Sequence, residues 1–200
     1  MKLTKLYFIP LLIITVSSFA QEQDEVDVTD VFKVTVINPG VSYEKRVGKY
    51  QTLYGQLFVN TSVSAGWSSS FGNSFELYVD PAFTAQYRYY YNAKKRERKG
   101  KRTDLNSMNY LTGIFETLLS KRTVSASSFN EPNRRSINTL GVAWGFQRNY
   151  NSRFSLDLNL GLGYLVTKVS YPNIYQASDV VGEFTTMGQI NIGFWLNRRM

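Results

Sequence analysis

Neither cysteine nor histidine occurs in this 200-residue chain. Their absence excludes a Ser-His-Asp or Ser-His-Glu hydrolase, a His or Cys metal centre, a thiolate nucleophile and a disulfide framework. Long hydrophobic runs are lacking as well. Past the first twenty residues no stretch approaches the roughly 18 apolar residues of a membrane helix, so any crossing of a bilayer must use strands. There is no phosphate-cradling glycine loop, nucleophile elbow or EF-hand pattern. Glu76 and Asp80 are the nearest thing to a carboxylate pair, and four positions along a strand set them about 13 Å apart, poor spacing for a glycosidase. A non-enzymatic protein without cofactor or metal is therefore expected.

What is present begins with a leader. Lys2 and Lys5 precede an apolar run from Leu6 to Val16, followed by Ser17-Ser18-Phe19-Ala20. A basic start, a short apolar core and a small-x-small ending form a secretory signal, residues 1–20, with cleavage expected after Ala20. A short acidic segment, 21–30, follows. Residues 31–200 read as one domain, since no linker-like stretch divides them.

Period-two alternation dominates that domain, placing successive side chains on opposite faces of a strand. In 154–167 one face carries Phe154, Leu156, Leu158, Leu160, Leu162, Tyr164 and Val166, and the other Ser155, Asp157, Asn159, Gly161, Gly163, Leu165 and Thr167, with Leu165 alone breaking the pattern. Segments 75–91, 140–147 and 190–196 repeat the pattern, and 52–61 and 108–118 carry weaker versions. Near the start, Val31 to Ile37 reads as a strand, Asn38-Pro39-Gly40 as a turn and Val41 to Arg46 as a second strand, which makes eight; one continuous strand would leave seven.

Alternation alone also fits a soluble sandwich or a ligand-binding barrel, so the composition of the faces decides. A soluble sheet turns Lys, Glu and Arg to water. Here the polar face holds Gly, Ser, Thr, Asn and Gln with isolated charges, which suits a narrow hydrated interior, while the aliphatic and aromatic face suits lipid. Tyr87, Tyr89, Tyr90, Tyr91, Tyr110, Tyr150, Trp67 and Tyr171 gather near strand ends, as in an interfacial aromatic girdle. The expectation is an all-β, antiparallel up-and-down transmembrane β-barrel of about eight strands in an outer membrane, in contact with its lipids. Connectors at 63–74, 121–135 and 168–182 would lie outside, and those at 47–49, 149–153 and 93–106 in the periplasm.

Two constellations stand out as candidate sites. The first is the run Lys94, Lys95, Arg96, Arg98, Lys99, Lys101 and Arg102, interrupted by Glu97 and Gly100. The chain has 23 basic and 15 acidic residues, and two lysines belong to the leader; outside this run the exported part is neutral, so the run is a local electrostatic device. It would anchor the adjacent girdle at an anionic lipid surface or contact a polyanion or a periplasmic or envelope protein; nucleic acid is not expected of an exported chain without a recognition motif. The second is the set of inward charges Glu76, Asp80, Arg88, Glu116 and Asp157, with Lys33 and Glu44 on the first hairpin. Both signs in a narrow lumen point to a salt-bridged plug.

The leader ending, the segment Asn38-Pro39-Gly40-Val41-Ser42-Tyr43-Glu44 and the girdled alternating strands together resemble the small outer-membrane β-barrel proteins of Bacteroidetes-type bacteria, porin-like or OmpX-like. That resemblance implies location and fold, not a role, because such barrels serve adhesion, transport and secretion alike. The leading expectation is a structural, adhesion or partner-interaction barrel with a side-chain-plugged lumen. Its rivals are a narrow porin-like channel for ions or small solutes, a membrane-embedded enzyme, and a soluble exported β-protein that binds an apolar ligand.

Overall fold

The computed structural model describes residues 26–68, 72–120, 135–170 and 178–197, of which 61–68, 72–78, 169, 170, 178 and 179 as backbone only. The leader and residues 21–25 lie outside that range. Eight antiparallel strands follow one another in chain order and close into a barrel. They are β1 (Val31–Ile37), β2 (Gly40–Gly48), β3 (Gln51–Ser68), β4 (Gly72–Tyr89), β5 (Asn109–Ser120), β6 (Arg135–Asn149), β7 (Phe154–Ser170) and β8 (Ser178–Trp195). The first hairpin is two strands, as the turn at Asn38-Pro39-Gly40 predicts. Asn38 takes φ 53°, a left-handed conformation that asparagine tolerates, and its side-chain amide donates to the Ile190 carbonyl, tying the turn to β8.

Closure depends on the pairing of β1 with β8, where Lys33, Val34 and Thr35 face Trp195, Phe194 and Gly193. A Cβ at Gly193 would come within 2.0 Å of the Val34 carbonyl oxygen, so the seam admits only glycine there. A register shift between Thr35 and Ile37 follows, and the pairing ends at Ile192.

The two ends of the barrel differ. At one end lie the short turns after β2 and β6, the β4–β5 connection and the described N- and C-terminal segments. The β4–β5 connection holds a short helix α1 (Ala93–Glu97) and a 3-10 turn at Asp104–Asn106. There Val28, Tyr90, Ala93, Met108 and Tyr110 form an apolar cap. Asn106 pins the N-terminal segment over it: its side-chain oxygen accepts from the Thr29 amide and its side-chain nitrogen donates to the Thr29 carbonyl, both at 2.8 Å.

At the other end the strands run further than the sequence predicts. The segments 63–74 and 168–182, read as loops, are mostly strand: β3 pairs with β4 out to Ser68 and Gly72, and β7 with β8 out to Ser170 and Ser178. Their Ser, Gly and Asn content hides the alternation, yet an antiparallel ladder needs only backbone groups. The 121–134 part of the third expected loop lies outside the described residues, and Arg135 already opens β6. The short first hairpin leaves a notch in the wall. β1–β8 pairing stops at Ile192 and β2–β3 pairing at Phe58, so beyond those points these edges of β8 and β3 have no partner strand among the described residues.

The distribution of side chains is inverted relative to a water-soluble barrel. Leu140 (67% exposed), Val142 (68%) and Phe184 (89%) stand outward with Leu53, Leu57, Leu160 and Leu162, whereas Thr52, Gln56, Thr84, Gln86, Asn159 and Asn191 are buried inside. On β5, Leu111 and Phe115 point out and Thr112 and Ile114 point in.

Candidate functional site

Inside the capped end, seven of the eight strands, all but β8, contribute to one polar cluster. Arg88, on the last turn of the β4 pleat before the end, is fully buried. Its Nη1 donates to Asp157 Oδ2 at 2.8 Å and to Gln147 Oε1 at 2.9 Å, and its Nε to Gln86 Oε1 at 2.8 Å. The guanidinium carbon also lies over two rings, 3.8 Å from the centroid of Tyr54 and 4.4 Å from that of Tyr110. Such stacking suits a planar, weakly hydrated cation better than it would suit lysine.

The carboxylates are held from both sides. Asp157 accepts from the Tyr110 hydroxyl at 2.6 Å and has Lys33 Nζ at 3.6 Å. Glu44 accepts from the Tyr90 hydroxyl at 2.5 Å, from Thr52 Oγ1 at 2.7 Å and from Gln147 Nε2 at 3.1 Å, with Arg88 3.9 Å away. Gln147 is the hub, since its oxygen also accepts from Lys33 Nζ. Two cations and two carboxylates therefore neutralise one another in a buried site whose neighbours supply further hydrogen bonds, the condition under which buried ion pairs persist. Above this layer Gln56 exchanges hydrogen bonds with Asn191 and accepts from Gln189, adding a second cross-lumen layer.

Of the inward charges read from the sequence, Arg88 and Asp157 meet here, and Lys33 and Glu44 with them. Asp80 and Glu116 do not join. Asp80 is buried far up β4, where Ser120 Oγ donates to it at 2.8 Å. Glu116 is paired in register with Thr84 and Thr139 and has no ionic or hydrogen-bonding partner among the described residues. The Glu76 side chain lies outside the described set. Tyr90 and Tyr110 are not girdle residues: both are buried and serve the cluster and the cap. Tyr87, Tyr89, Tyr91 and Tyr150 do point outward near the capped end, where the Trp144 indole donates to the Tyr91 hydroxyl at 2.8 Å. The Trp67 side chain and Tyr171 are outside the described set. Gln147, Gln86 and Tyr54 were not singled out by sequence, because neutral inward residues look alike until their strands are brought into register.

The basic run folds over the capped end as α1 and the turn behind it. Arg96 spends its guanidinium inward, donating twice to the Arg102 carbonyl at 3.1 and 2.9 Å. Arg102 in turn reaches Asn151 and lies 3.7 Å from Asp104. Lys95, Arg98, Lys99 and Lys101 are exposed and have no partner among the described residues, while Glu97 faces the chain's own Val26 amide. Among the described residues no group of His, Cys, Asp and Glu could hold a metal ion. The chain matches no protein-family model, no curated protein and no solved structure.

Proposed function

We propose that the protein is a non-enzymatic outer-membrane β-barrel, of the kind its sequence resembles, with a lumen closed by side chains and a structural or partner-contacting role. One observation carries this reading: the barrel hides its polar side chains and displays its large apolar ones. In water that arrangement exposes far more contiguous apolar surface than soluble monomers tolerate, whereas in lipid it is the stable one. The outward tyrosines at the capped end, with the basic α1 segment just beyond them, suit the interface between hydrocarbon and anionic headgroups.

The test is direct. Cells producing the chain are expected to retain it in sedimented membranes, and an unheated sample to migrate differently from a boiled one on a gel. Recovery in the aqueous fraction would overturn the reading. For the interaction role, a photocrosslinker at Lys99 in intact cells should capture an envelope component. Replacing Lys94, Lys95, Arg96, Arg98, Lys99, Lys101 and Arg102 by Gln should abolish that capture and keep the heat-dependent shift. Loss of the shift would reassign the run to anchoring.

A further inference from the structure

Beyond the cross-lumen layer of Gln56, Gln189 and Asn191, the lumen opens into a cavity of about 290 Å³ walled by the inner faces of β5, β6, β7 and β8. Its character changes abruptly from that of the capped end. Ile114, Leu118, Ile137, Leu165 and Met187 give it apolar surface, interleaved with Thr139, Thr185, Thr186 and Gln189. Met187 has room because Gly141 and Gly163 stand behind it, where a Cβ would lie 2.6 and 3.1 Å from its sulfur. A cavity lined by apolar surface and polar groups together suits a ligand that carries both characters.

Three polar groups nonetheless face or border this space unsatisfied. Glu116 lines the cavity without a partner among the described residues. Asn159 also lines it; the residue is only 3% exposed, and its side-chain nitrogen is buried without a hydrogen bond. The hydroxyl of Thr84, register partner of Glu116, is buried and unpaired too. Buried polar groups left in this state, as at Asn159 and Thr84, are costly, and the half-buried Glu116 carboxylate beside them is left to the cavity's contents. The capped end shows that this fold pairs its lumen charges closely, so an unpaired acid beside an apolar wall is a departure within one molecule. The wall itself is incomplete beside the cavity: β8, which supplies Met187 and Gln189, also forms one unpaired edge of the notch.

We propose that this cavity binds a small amphiphile with an apolar body and a protonated amine. The amine lies against the Glu116 carboxylate, Asn159 donates to an oxygen of the ligand where one is present, and the apolar body fills the space between Ile114, Ile137 and Met187. The volume matches roughly ten waters, hence a ligand of about ten heavy atoms. The site lies inside the barrel, so the inference does not rest on what surrounds it.

The test uses the full exported chain, refolded in short-chain phosphocholine micelles, with methyl groups of Ile and Met labelled for NMR. The probes are 2-phenylethylamine and its neutral counterpart 2-phenylethanol. The amine is expected to shift the Ile114, Ile137 and Met187 methyls saturably, at least tenfold tighter than the alcohol, while the outward Ile190 methyl stays in place. Glu116→Gln should erase the preference for the amine, and Ile137→Trp should weaken both probes. Equal affinity of the unaltered protein for the two probes overturns the proposal without any variant. So does an Ile190 shift that tracks the others without saturating, which reports partition into the micelle. Neither failure touches the membrane reading, which stands or falls on sedimentation and heat-dependent migration.

Discussion

Arg88 has no exposed surface, and the groups around it determine what its removal would do. Replacement by Met would leave Asp157 and Glu44 facing Lys33 alone, an excess carboxylate in a buried site. The expected cost is about 3 to 5 kcal/mol of unfolding free energy, read from urea denaturation in micelles. Adding Asp157→Leu to Arg88→Met should recover part of it, because the lumen is then neutral again. A second residue sits outside the strands. Asp30 accepts from Lys45 Nζ at 2.6 Å, from the Arg46 amide at 2.8 Å and from the Tyr43 hydroxyl at 2.8 Å; Lys45 and then the Arg46 amide hold its carboxyl down to about 2. A depressed carboxyl stabilises the fold above its unfolded value near 4 and ceases to as pH falls through about 2. Asp30→Asn should therefore lower the unfolding midpoint at pH 7, with the deficit shrinking between pH 4 and 2. A deficit that persists unchanged below pH 2 would show that the side chain acts through shape alone. At this scale the sequence was partly legible. The sign and inward direction of Arg88 and Asp157 followed from parity, but their separation from Asp80 did not. Eight residues along β4 put Asp80 about 27 Å from Arg88, a distance set by strand rise and not by which face a residue occupies.

At the scale of elements, alternation located every strand, and turn chemistry located the first hairpin to within two residues. It failed where contrast between the faces was low. In the far half of β8, Gly182, Thr186 and Gly188 take positions where the rest of the barrel places Leu or Phe, the far half of β3 is rich in Ser, Ala and Gly, and such stretches read as loop although their backbones are laddered. The helix α1 was illegible for a different reason: five residues give little more than one turn, too short for a 3.6-residue period to declare itself. The seam between β1 and β8 joins residues more than 150 apart in sequence, and nothing local announces it. One glycine does mark it. Gly193→Val should block the approach of Val34, so that the chain inserts or refolds without closing, and its unheated band should run with the boiled one. A normal heat-dependent shift in that variant would mean that the β1–β8 pairing is dispensable for closure.

For the whole molecule, the remaining question is whether the barrel conducts. Eight strands enclose an interior that side chains can just fill, and here two layers fill it: the Arg88, Asp157, Glu44, Lys33 and Gln147 cluster, and above it Gln56 with Gln189 and Asn191. The apolar cap of Val28, Ala93 and Met108 closes the same end from beneath. The cavity farther up is therefore blind toward the capped end, and a solute that enters it has no route onward past these layers. In planar bilayers the refolded protein is expected to give no discrete conductance steps. Removing the plug at its hub, by Gln147→Gly together with Arg88→Ser and Asp157→Ser, should let small steps appear in whatever fraction of the variant still shows a heat-dependent shift. Steady nanosiemens steps from the unaltered protein would mean that the cluster breathes open, and the closed-lumen reading would then fail even though the barrel itself remained.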